Sequence, residues 1–340
     1  MGIKSLSTLL RRCNFERVHL SKYRSKKIAI DISPFLFKYR IIFQDEWLQS
    51  FVNLVCCLRR NDIHAIFIYD GIAPTEKQYE KECRRKKRDD IKTRACDLQT
   101  ALDKYEETGK ADPILLKVGR IHLLEQECGI IDKQAIIASI DKCKKQTVSI
   151  THDDKIATKN LLEKLGVPHV KAPGEAEKFA SELFKAGLVD AVLSDDTDVL
   201  MYGVTMISKI DTKTETVLEI EQSDLLKQLD LSSESFKHLC ITLGTDYNTN
   251  IKGIGPIKAL NLIKKYGTID EIAKNTNNDV SCLNHKKVLD LFTLNDVSDF
   301  QVPLCKEPDL DALASLGIYN IDGIKRDLCK MYISRRAFLD

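Results

Sequence analysis

The chain has 340 residues, of which 43% are hydrophobic and 30% are charged, as in an ordinary globular protein. Its net charge is only +2, so a surface that binds nucleic acid requires local segregation of charge. No apolar run reaches the roughly 20 residues of a membrane span, and 11 cysteines without paired spacing or a signal peptide indicate reduced thiols in an intracellular protein.

Two apolar strands near the N-terminus are each predicted to end in an aspartate. Residues 28–30 precede Asp31, residues 65–69 precede Asp70, and a helical pattern separates the two segments. Strands joined through a helix pair in parallel, so both acids should lie at the carboxyl edge of one sheet. Taken alone, Asp31 is equally typical of a helix N-cap and Asp70 of a turn.

A strongly basic segment extends from residue 77 to residue 94. It holds nine Lys or Arg against four acids and contains no helix breaker, which predicts a helix with a positive face. Such a run is commonly a solvated face, and residues 84–88 also fit a localisation signal. Beside an acidic metal site, the same helix could clamp phosphates. Further helices are predicted at 118–127 and 133–145.

The densest group of carboxylates lies in the central part of the chain. Two glutamates follow a Pro-Gly turn at the predicted start of a helix, and three aspartates follow a short strand predicted at 189–193. Another strand is predicted at either 148–150 or 167–170. The clustered acids are Glu175, Glu177, Asp195, Asp196 and Asp198.

Crowded carboxylates repel one another unless a cation offsets their charge. Oxygen ligands suit Mg²⁺ or Mn²⁺, and this region lacks the His/Cys spacing of a zinc site. The alternative is a helix start that favours acids, next to a solvated acidic loop. The combination of both motifs at this spacing favours a metal site.

A glycine turn between two helical patterns predicts a contact with a nucleic-acid backbone. Gly253, Ile254 and Gly255 form this turn, and Lys252 and Lys258 flank it. Glycines let the main chain approach closely, and N–H groups at the following helix start can donate to phosphate oxygens. The glycine pattern is common by itself, so the flanking lysines are what favour a phosphate contact.

These motifs, in this order, resemble those of the flap endonuclease/XPG superfamily of structure-specific 5′ nucleases. The matching segments are 1–3, 29–31, 69–71, 172–177, 194–198, 244–247 and 252–256. The resemblance implies an α/β, PIN-like core with a mainly parallel central sheet, a helical arch or cap insertion, and a helix–two-turn–helix region. The expected division is core and arch start at 1–98, arch at 99–145, core at 146–232 and DNA-binding helices at 233–340.

The resemblance also implies roles for individual residues. Lys77 and Arg84 fall where flap endonucleases have a Lys and an Arg that contact the scissile phosphate. Phe37 falls where the family has an aromatic that stacks on a base, and the amine of Gly2 would lie near the 5′ junction. The family binds two divalent metals through seven acids, which here correspond to Asp31, Asp70, Glu175, Glu177, Asp196, Asp198 and Asp246.

The implied activity is Mg²⁺-dependent hydrolysis of DNA at 5′ flaps, by flap endonuclease and 5′–3′ exonuclease action, in replication or repair. Mn²⁺ could replace the two Mg²⁺ ions, and K⁺ would bind the hairpin at residues 253–255. Cutting of Holliday junctions or bubbles, an inactive nucleic-acid-binding scaffold and a PIN-type ribonuclease are alternatives. Retention of all seven acids argues against the scaffold, and the hairpin argues against the ribonuclease.

The expected partner is branched or flapped DNA, bound by a monomer away from membranes. A sliding clamp is not expected, because residues 337–339 do not form the family's clamp-binding box. The expected compartment is intracellular, with the nucleus favoured, or the host nucleus or cytoplasm for a viral protein.

Overall fold

The computed structural model describes residues 2–118 and 131–336. The helix predicted at 118–127, apart from Val118 itself, and the tripeptide at 337–339 lie outside the described residues. The chain divides into two compact units, the first formed by Met1–Lys77 with Thr151–Asp340 and the second by Gln78–Ile150. Within the described part, no helix is both long enough and apolar enough to cross a membrane.

A seven-stranded sheet forms the centre of the first unit. Its strands are β1 (Arg17–His19), β2 (Lys27–Asp31), β3 (His64–Tyr69), β4 (His169–Lys171), β5 (Ala191–Leu193), β6 (Met206–Asp211) and β7 (Thr216–Ile220). Their order in space is β1-β7-β6-β5-β2-β3-β4. Strands β2 to β6 pair in parallel, and β7 runs antiparallel to both β6 and β1. The mainly parallel sheet is therefore confirmed.

The third predicted strand lies at the second of its two expected positions. β4 pairs with β3 at residues 169–171, whereas residues 148–150 form a loop before the next helix. The short apolar run at 148–150 could not by itself be distinguished from a strand.

Helices account for most of the remaining chain. In the N-terminal half they are α1 (Leu6–Leu10), α2 (Ile32–Phe43), α3 (Trp47–Arg60), α4 (Gln78–Thr108), α5 (Pro113–Val118), α6 (Lys133–Gln146) and α7 (His152–Lys164). In the C-terminal half they are α8 (Ala176–Lys185), α9 (Gln222–Leu229), α10 (Ser233–Leu243), α11 (Pro256–Tyr266), α12 (Ile269–Asn275), α13 (His285–Leu291), α14 (Leu310–Ser315) and α15 (Ile321–Arg336).

Asp31 is both the last residue of strand β2 and the N-cap residue of helix α2. Residues 28–31 are all buried, because helices cover the faces of a parallel sheet. The Asp31 carboxylate accepts a hydrogen bond from the Ser33 amide at 3.1 Å and so caps α2. Asp31 therefore has both positions that the sequence suggested, at the end of a strand and at the start of a helix.

The second unit is built on the 31-residue helix α4. Its basic N-terminal half contributes no buried side chain, and burial begins at Leu98. From there, Leu98 and Leu102 pack with Leu115, Ile136 and Ile140 of α5 and α6 into a small core. The boundary expected between residues 98 and 99 falls inside this helix, because nothing in residues 78–108 breaks it. The units divide instead at 77/78 and at 150/151.

A tight backbone contact holds the C-terminal segment against the loop after α7. Gly166 has φ +64°, its carbonyl accepts from the Lys306 amide at 2.7 Å, and a Cβ there would lie 2.2 Å from the Lys306 carbonyl oxygen. Gly166→Ala should lower the free energy of unfolding by about 3 kcal/mol. The alanine would have to adopt a left-handed backbone conformation, and its Cβ would displace the segment at Lys306. Urea denaturation measures this loss.

The matched control for Gly166→Ala is Gly187→Ala. Gly187 has φ +70°, but a Cβ there would meet nothing within 4 Å. Its loss should be only about 1 kcal/mol, the cost of the backbone conformation alone. Equal losses for the two variants would contradict the role of the contact with Lys306.

Candidate metal centre

The predicted acids are carried by the carboxyl ends of neighbouring strands and by nearby helix starts. Asp31 ends β2, Asp70 follows β3, and the aspartates after β5 lie on the other side of β2. Glu175 is the N-cap residue of α8 and Glu177 lies in its first turn, as the Pro-Gly signal predicted. Asp246 follows α10. Adjacent parallel strands thus place residues from distant parts of the chain at one edge.

Hydroxyl and amide donors hold the first two aspartates. Besides the Ser33 amide, Asp31 accepts a hydrogen bond from the Ser194 hydroxyl at 3.0 Å. Asp70 accepts from the Ser33 hydroxyl at 2.6 Å and from the Ala176 amide at 3.0 Å. These bonds tie β2, β3, β5 and the start of α8 together around the acids. The carboxylates are therefore held in position by the chain itself.

Lys77 lies among three of the acids, with its side chain only 15% exposed. Its Nζ is 2.5 Å from Glu175, 3.0 Å from Asp246 and 3.9 Å from Glu177. The Tyr247 hydroxyl donates to the second carboxylate oxygen of Glu175. A positive charge thus lies where the negative charge is densest.

The loop after β5 presents its aspartates in different directions. The Asp196 carboxylate accepts from the Asp198 amide at 3.1 Å. Asp198 is only 2% exposed, and its Oδ1 is buried without a hydrogen-bond partner. Asp195 instead accepts from the Lys209 amide at 2.8 Å. Asp195 therefore has a structural contact of its own, whereas Asp198 has an unused buried acceptor.

Burial and mutual repulsion disfavour ionisation of these acids. Burial, followed by the charges of Asp70 and Asp196, raises the pKa of Asp31 to about 8. Burial and neighbouring carboxylates also raise the pKa values of Glu177, Asp196 and Asp198. For Lys77, burial opposes the charged form, but Glu177, Glu175 and Asp246 together outweigh it and raise its pKa. The cluster therefore favours additional positive charge.

Two parts of the chain match the domains of one nuclease family. Residues 1–91 match the XPG N-terminal domain, and residues 166–246 match the XPG I-region. A "probable RAD2-like endonuclease" of Invertebrate iridescent virus 6 is 30% identical to this chain, and the match covers 88% of this chain and 83% of that protein. The chain belongs to the XPG family.

Further comparisons agree with this assignment. Flap endonuclease 1 of Heterostelium pallidum is 29% identical to this XPG-family chain, and the match covers 92% of the chain and 79% of that protein. The catalytic core of Rad2 in complex with DNA substrate aligns with a TM-score of 0.65 at 19% identity, over 97% of this chain and 100% of that one. The second match concerns the fold alone. The expected superfamily and PIN-like fold are confirmed, and the relatives support a structure-specific nuclease.

The donors at the sheet edge of this XPG-family chain fit divalent metal ions. They are carboxylate oxygens, which suit hard cations such as Mg²⁺ and Mn²⁺. The acids outnumber the single lysine among them, and the buried Asp198 Oδ1 has no other partner. In the described residues, no three His, Cys, Asp or Glu side chains are already arranged as a metal shell. Some side chains would therefore have to move towards a metal.

The N-terminus of the XPG-family chain reaches this loop. The Ile3 amide donates to the Thr197 hydroxyl at 3.0 Å, and Gly2 has φ +91°. A Cβ on Gly2 would lie 2.1 Å from Asp196 Oδ1 and 2.9 Å from the Asp198 amide nitrogen. Only glycine fits there without moving one of these aspartates.

Gly2→Ala should therefore reduce cleavage by on the order of 10²-fold, because small misplacement of reacting groups is costly. The measurement is single-turnover cleavage of a flapped duplex. Gly109→Ala is the control, since Gly109 has φ +69° but no neighbour within 4 Å of an added Cβ. Full activity of the Gly2 variant would show that the aspartates tolerate displacement.

The glycine turn lies before α11, as predicted. Gly255 is the N-cap residue of that helix, and Gly253 has φ +79° with nothing within 4 Å of an added Cβ. Lys252 and Lys258 are exposed, while Ile254 is half-buried against the main core. The turn therefore offers an open backbone surface between two lysines.

Two further predicted residues lie on helices α2 and α4. Phe37 is half-buried on α2. Arg84 belongs to the second unit, where its Nε is 3.0 Å from a carboxylate oxygen of Glu80, one helical turn earlier. Arg84 would have to leave this ion pair to contact a phosphate.

Sequence reasoning missed the residues that hold the acids. Ser33, Ser194 and Tyr247 each donate a hydrogen bond to a predicted ligand. All three lie within two residues of a predicted aspartate, so sequence proximity was the available signal. Their donor roles depend on side-chain direction, which the sequence did not indicate.

Proposed function

We propose that this chain is a Mg²⁺-dependent, structure-specific 5′ nuclease that hydrolyses DNA phosphodiesters at 5′ flaps. It would act as a flap endonuclease and 5′–3′ exonuclease in DNA replication or repair, as an intracellular monomer. The observation that carries the proposal is the position of Lys77 among Glu175, Glu177 and Asp246. It places acids that suit metals beside a cation that suits a phosphate.

Two groups of acids would hold the metals. Bound Mg²⁺, or Mn²⁺ in its place, supplies positive charge at the scissile phosphate and lowers the pKa of a water molecule. The acids that neighbouring strands bring to this edge would be divided between two such ions. The first group would be Asp31, Asp70, Glu175 and Glu177, and the second Asp196, Asp198 and Asp246.

Lys77 would then interact with the phosphate rather than with the acids. Once the carboxylates are neutralised, its ammonium can turn to a non-bridging phosphate oxygen and stabilise charge there. Arg84 would donate to the same phosphate after leaving Glu80. The hydrogen bond from Tyr247 keeps Glu175 oriented throughout. These contacts are worth most where water is excluded, as around Lys77.

Other residues would position the DNA. The turn from Lys252 to Lys258 would hold the duplex backbone through exposed amides and ammonium groups, with K⁺ bound to main-chain carbonyls at residues 253–255. Phe37 would stack on an unpaired base, and the amine at Gly2 would lie near the 5′ junction. Contacts of this kind recognise shape rather than sequence.

Cleavage of a labelled 5′-flap duplex in Mg²⁺ tests the proposal. A four-way junction and a nicked duplex serve as competing substrates. A single short product from the flap, abolished by EDTA, is the expected result. Preferential symmetric cutting of the four-way junction would instead indicate a junction-resolving enzyme. Tight binding without cutting of any substrate would indicate a nucleic-acid-binding scaffold.

The salt dependence of DNA binding tests the turn separately. Lys252→Ala and Lys258→Ala should each reduce the slope of log affinity against log salt by about 0.9, because each removes one phosphate contact. Fluorescence anisotropy with a labelled duplex measures the slope. Lys213→Ala is the control, since Lys213 is exposed in the β6–β7 turn. An unchanged slope in both turn variants would remove the turn from the DNA interface.

A further inference from the structure

A cysteine and a histidine lie together at the end of β3 opposite to Asp70. The Cys305 sulfur is 3.5 Å from Nδ1 of His64, although 241 positions separate them in sequence. His64 is the first residue of β3 and only 4% exposed, whereas Cys305 is half-buried. Neither residue has a part in the proposed nuclease activity.

The surroundings of His64 determine which ring nitrogen carries the proton. Its Nε2 is 3.0 Å from the Pro303 carbonyl oxygen, which can only accept a hydrogen bond. Nε2 is therefore protonated, and Nδ1 of the neutral ring is an acceptor. The Cys305 thiol then donates to Nδ1. A nucleophile, its base and a third group that orients the base are thus aligned.

A buried cation also interacts with Cys305. Arg59 is 3% exposed, and its guanidinium donates to the Leu165 carbonyl at 2.6 Å and to the Leu328 carbonyl. Burial lowers the pKa of Arg59, while Cys305, through charge interaction and a hydrogen bond, and Cys56 and Cys329, through charge interaction, act in the opposite direction. The described groups that interact with Cys305 thus include His64 from β3 and Arg59 from α3, and Cys56 from α3 and Cys329 from α15 interact with Arg59 in turn. A fixed positive charge beside a sulfur favours the thiolate.

Small solutes can approach this region. The residues on both sides of Cys305, Leu304 and Lys306, line an open cavity of about 440 Å³ together with Pro303 and His169. Leu304 is 61% exposed, so the segment carrying the thiol lies at the surface. The half-buried thiol of Cys305 is therefore flanked in sequence by residues that solutes can reach.

We propose that Cys305 is a reactive thiol that hydrogen peroxide oxidises to a sulfenic acid, with His64 as its base. The thiol proton passes to Nδ1 of His64, and the sulfur attacks one peroxide oxygen. The S–O bond forms as the O–O bond breaks, and the departing hydroxide takes the proton from the imidazolium to leave as water. Sulfur loses two electrons and peroxide gains them, so thiol and peroxide give sulfenic acid and water.

Competition among the cysteines of the native chain tests this proposal. Iodoacetamide is applied below saturation at about pH 6.5, where an ordinary thiol is about 1% ionised, and labelling of each cysteine is quantified by mass spectrometry. Cys96 and Cys282 are exposed, so access alone predicts that they react before half-buried Cys305. We expect Cys305 to react at least about tenfold faster than either. A rate no faster than that of Cys282 would overturn the proposal.

The oxidation itself is followed with dimedone, which labels sulfenic acids. After substoichiometric hydrogen peroxide, dimedone should label Cys305 before the other cysteines, and Cys305→Ser should remove that label. First labelling of Cys96 or Cys282 would contradict the proposal. These readouts do not depend on nuclease activity, so the proposed function can fail without affecting them.

His64→Gln tests the role of the base. It should slow labelling of Cys305 about tenfold, while Cys282 in the same sample keeps its rate and serves as an internal control. An unchanged Cys305 rate in a folded variant would show that His64 does not activate the thiol. If the variant does not fold, the comparison of Cys305 with Cys282 in the native protein decides alone.

Discussion

Asp198→Asn should abolish cleavage of a flapped duplex while leaving binding of the same DNA intact. The substitution keeps the shape of the side chain and removes one charge from the group that would hold the second metal. A loss of about 10³-fold corresponds to roughly 4 kcal/mol of charge stabilisation. Single-turnover cleavage and fluorescence anisotropy, with the same labelled flap, give the two values.

The same substitution should stabilise the metal-free protein. Asp198 is buried, its Oδ1 has no partner, and neighbouring carboxylates repel it. A neutral amide relieves this repulsion, so the thermal midpoint should rise without Mg²⁺ and respond less when Mg²⁺ is added. Opposite signs for stability and activity are typical of a residue retained for function.

Asp195→Asn is the matched control in the same loop. The Asp195 carboxylate accepts a hydrogen bond from the Lys209 amide, and the side-chain oxygen of an asparagine can accept the same bond. We expect cleavage within a few-fold of the natural protein. Wild-type cleavage by Asp198→Asn, or an equal loss in Asp195→Asn, would contradict the assignment of the second metal group.

Lys77→Met should reduce cleavage by about 10²–10³-fold, the cost of removing one donor aimed at developing charge. Unlike Asp198→Asn, it should also destabilise the metal-free protein, by about 3–5 kcal/mol, because Glu175, Glu177 and Asp246 lose their buried counter-ion. Mg²⁺ should recover much of that stability but not the activity. Thermal denaturation with and without Mg²⁺, together with single-turnover cleavage, measures these effects.

Lys287→Met provides the control for Lys77→Met. Lys287 is 3.0 Å from a carboxylate oxygen of Glu76, the residue next to Lys77, but its own side chain is 56% exposed. Loss of such a surface pair costs about 0–1 kcal/mol and should leave cleavage unchanged. Equal effects of the two substitutions would mean that Lys77 acts as an ordinary surface charge.

The motifs that locate the site could be found in the sequence because their signals are local. Asp31 and Asp70 follow short apolar runs, and Glu175 and Glu177 follow a Pro-Gly turn. Strand ends and helix starts depend on neighbouring residues, so their pattern survives without knowledge of the fold. The parallel sheet follows from the alternation of strands and helices.

Other elements were missed or misplaced where local signals were weak. The strands β1, β7 and β6, which lie side by side at one end of the strand order, were not predicted, because strand formation depends strongly on the pairing partners and not on the local sequence alone. The arch boundary expected at 98/99 lies within α4, since exposure changes along that helix while its helical pattern continues. The side chains of α4 begin to be buried at Leu98, but the compact units divide at 77/78, where the basic segment begins.

By itself, the sequence predicted the strand ends and helix starts on which most of the acids lie, since strand periodicity and turn residues encode these elements, and the resemblance implied which acids would bind metal. Only the tertiary structure decided that Lys77 lies among Glu175, Glu177 and Asp246, and that Cys305 meets His64. These contacts join residues from about a hundred to more than two hundred positions apart. No local pattern specifies such pairs, because they arise only when the packing of the core brings separate elements together.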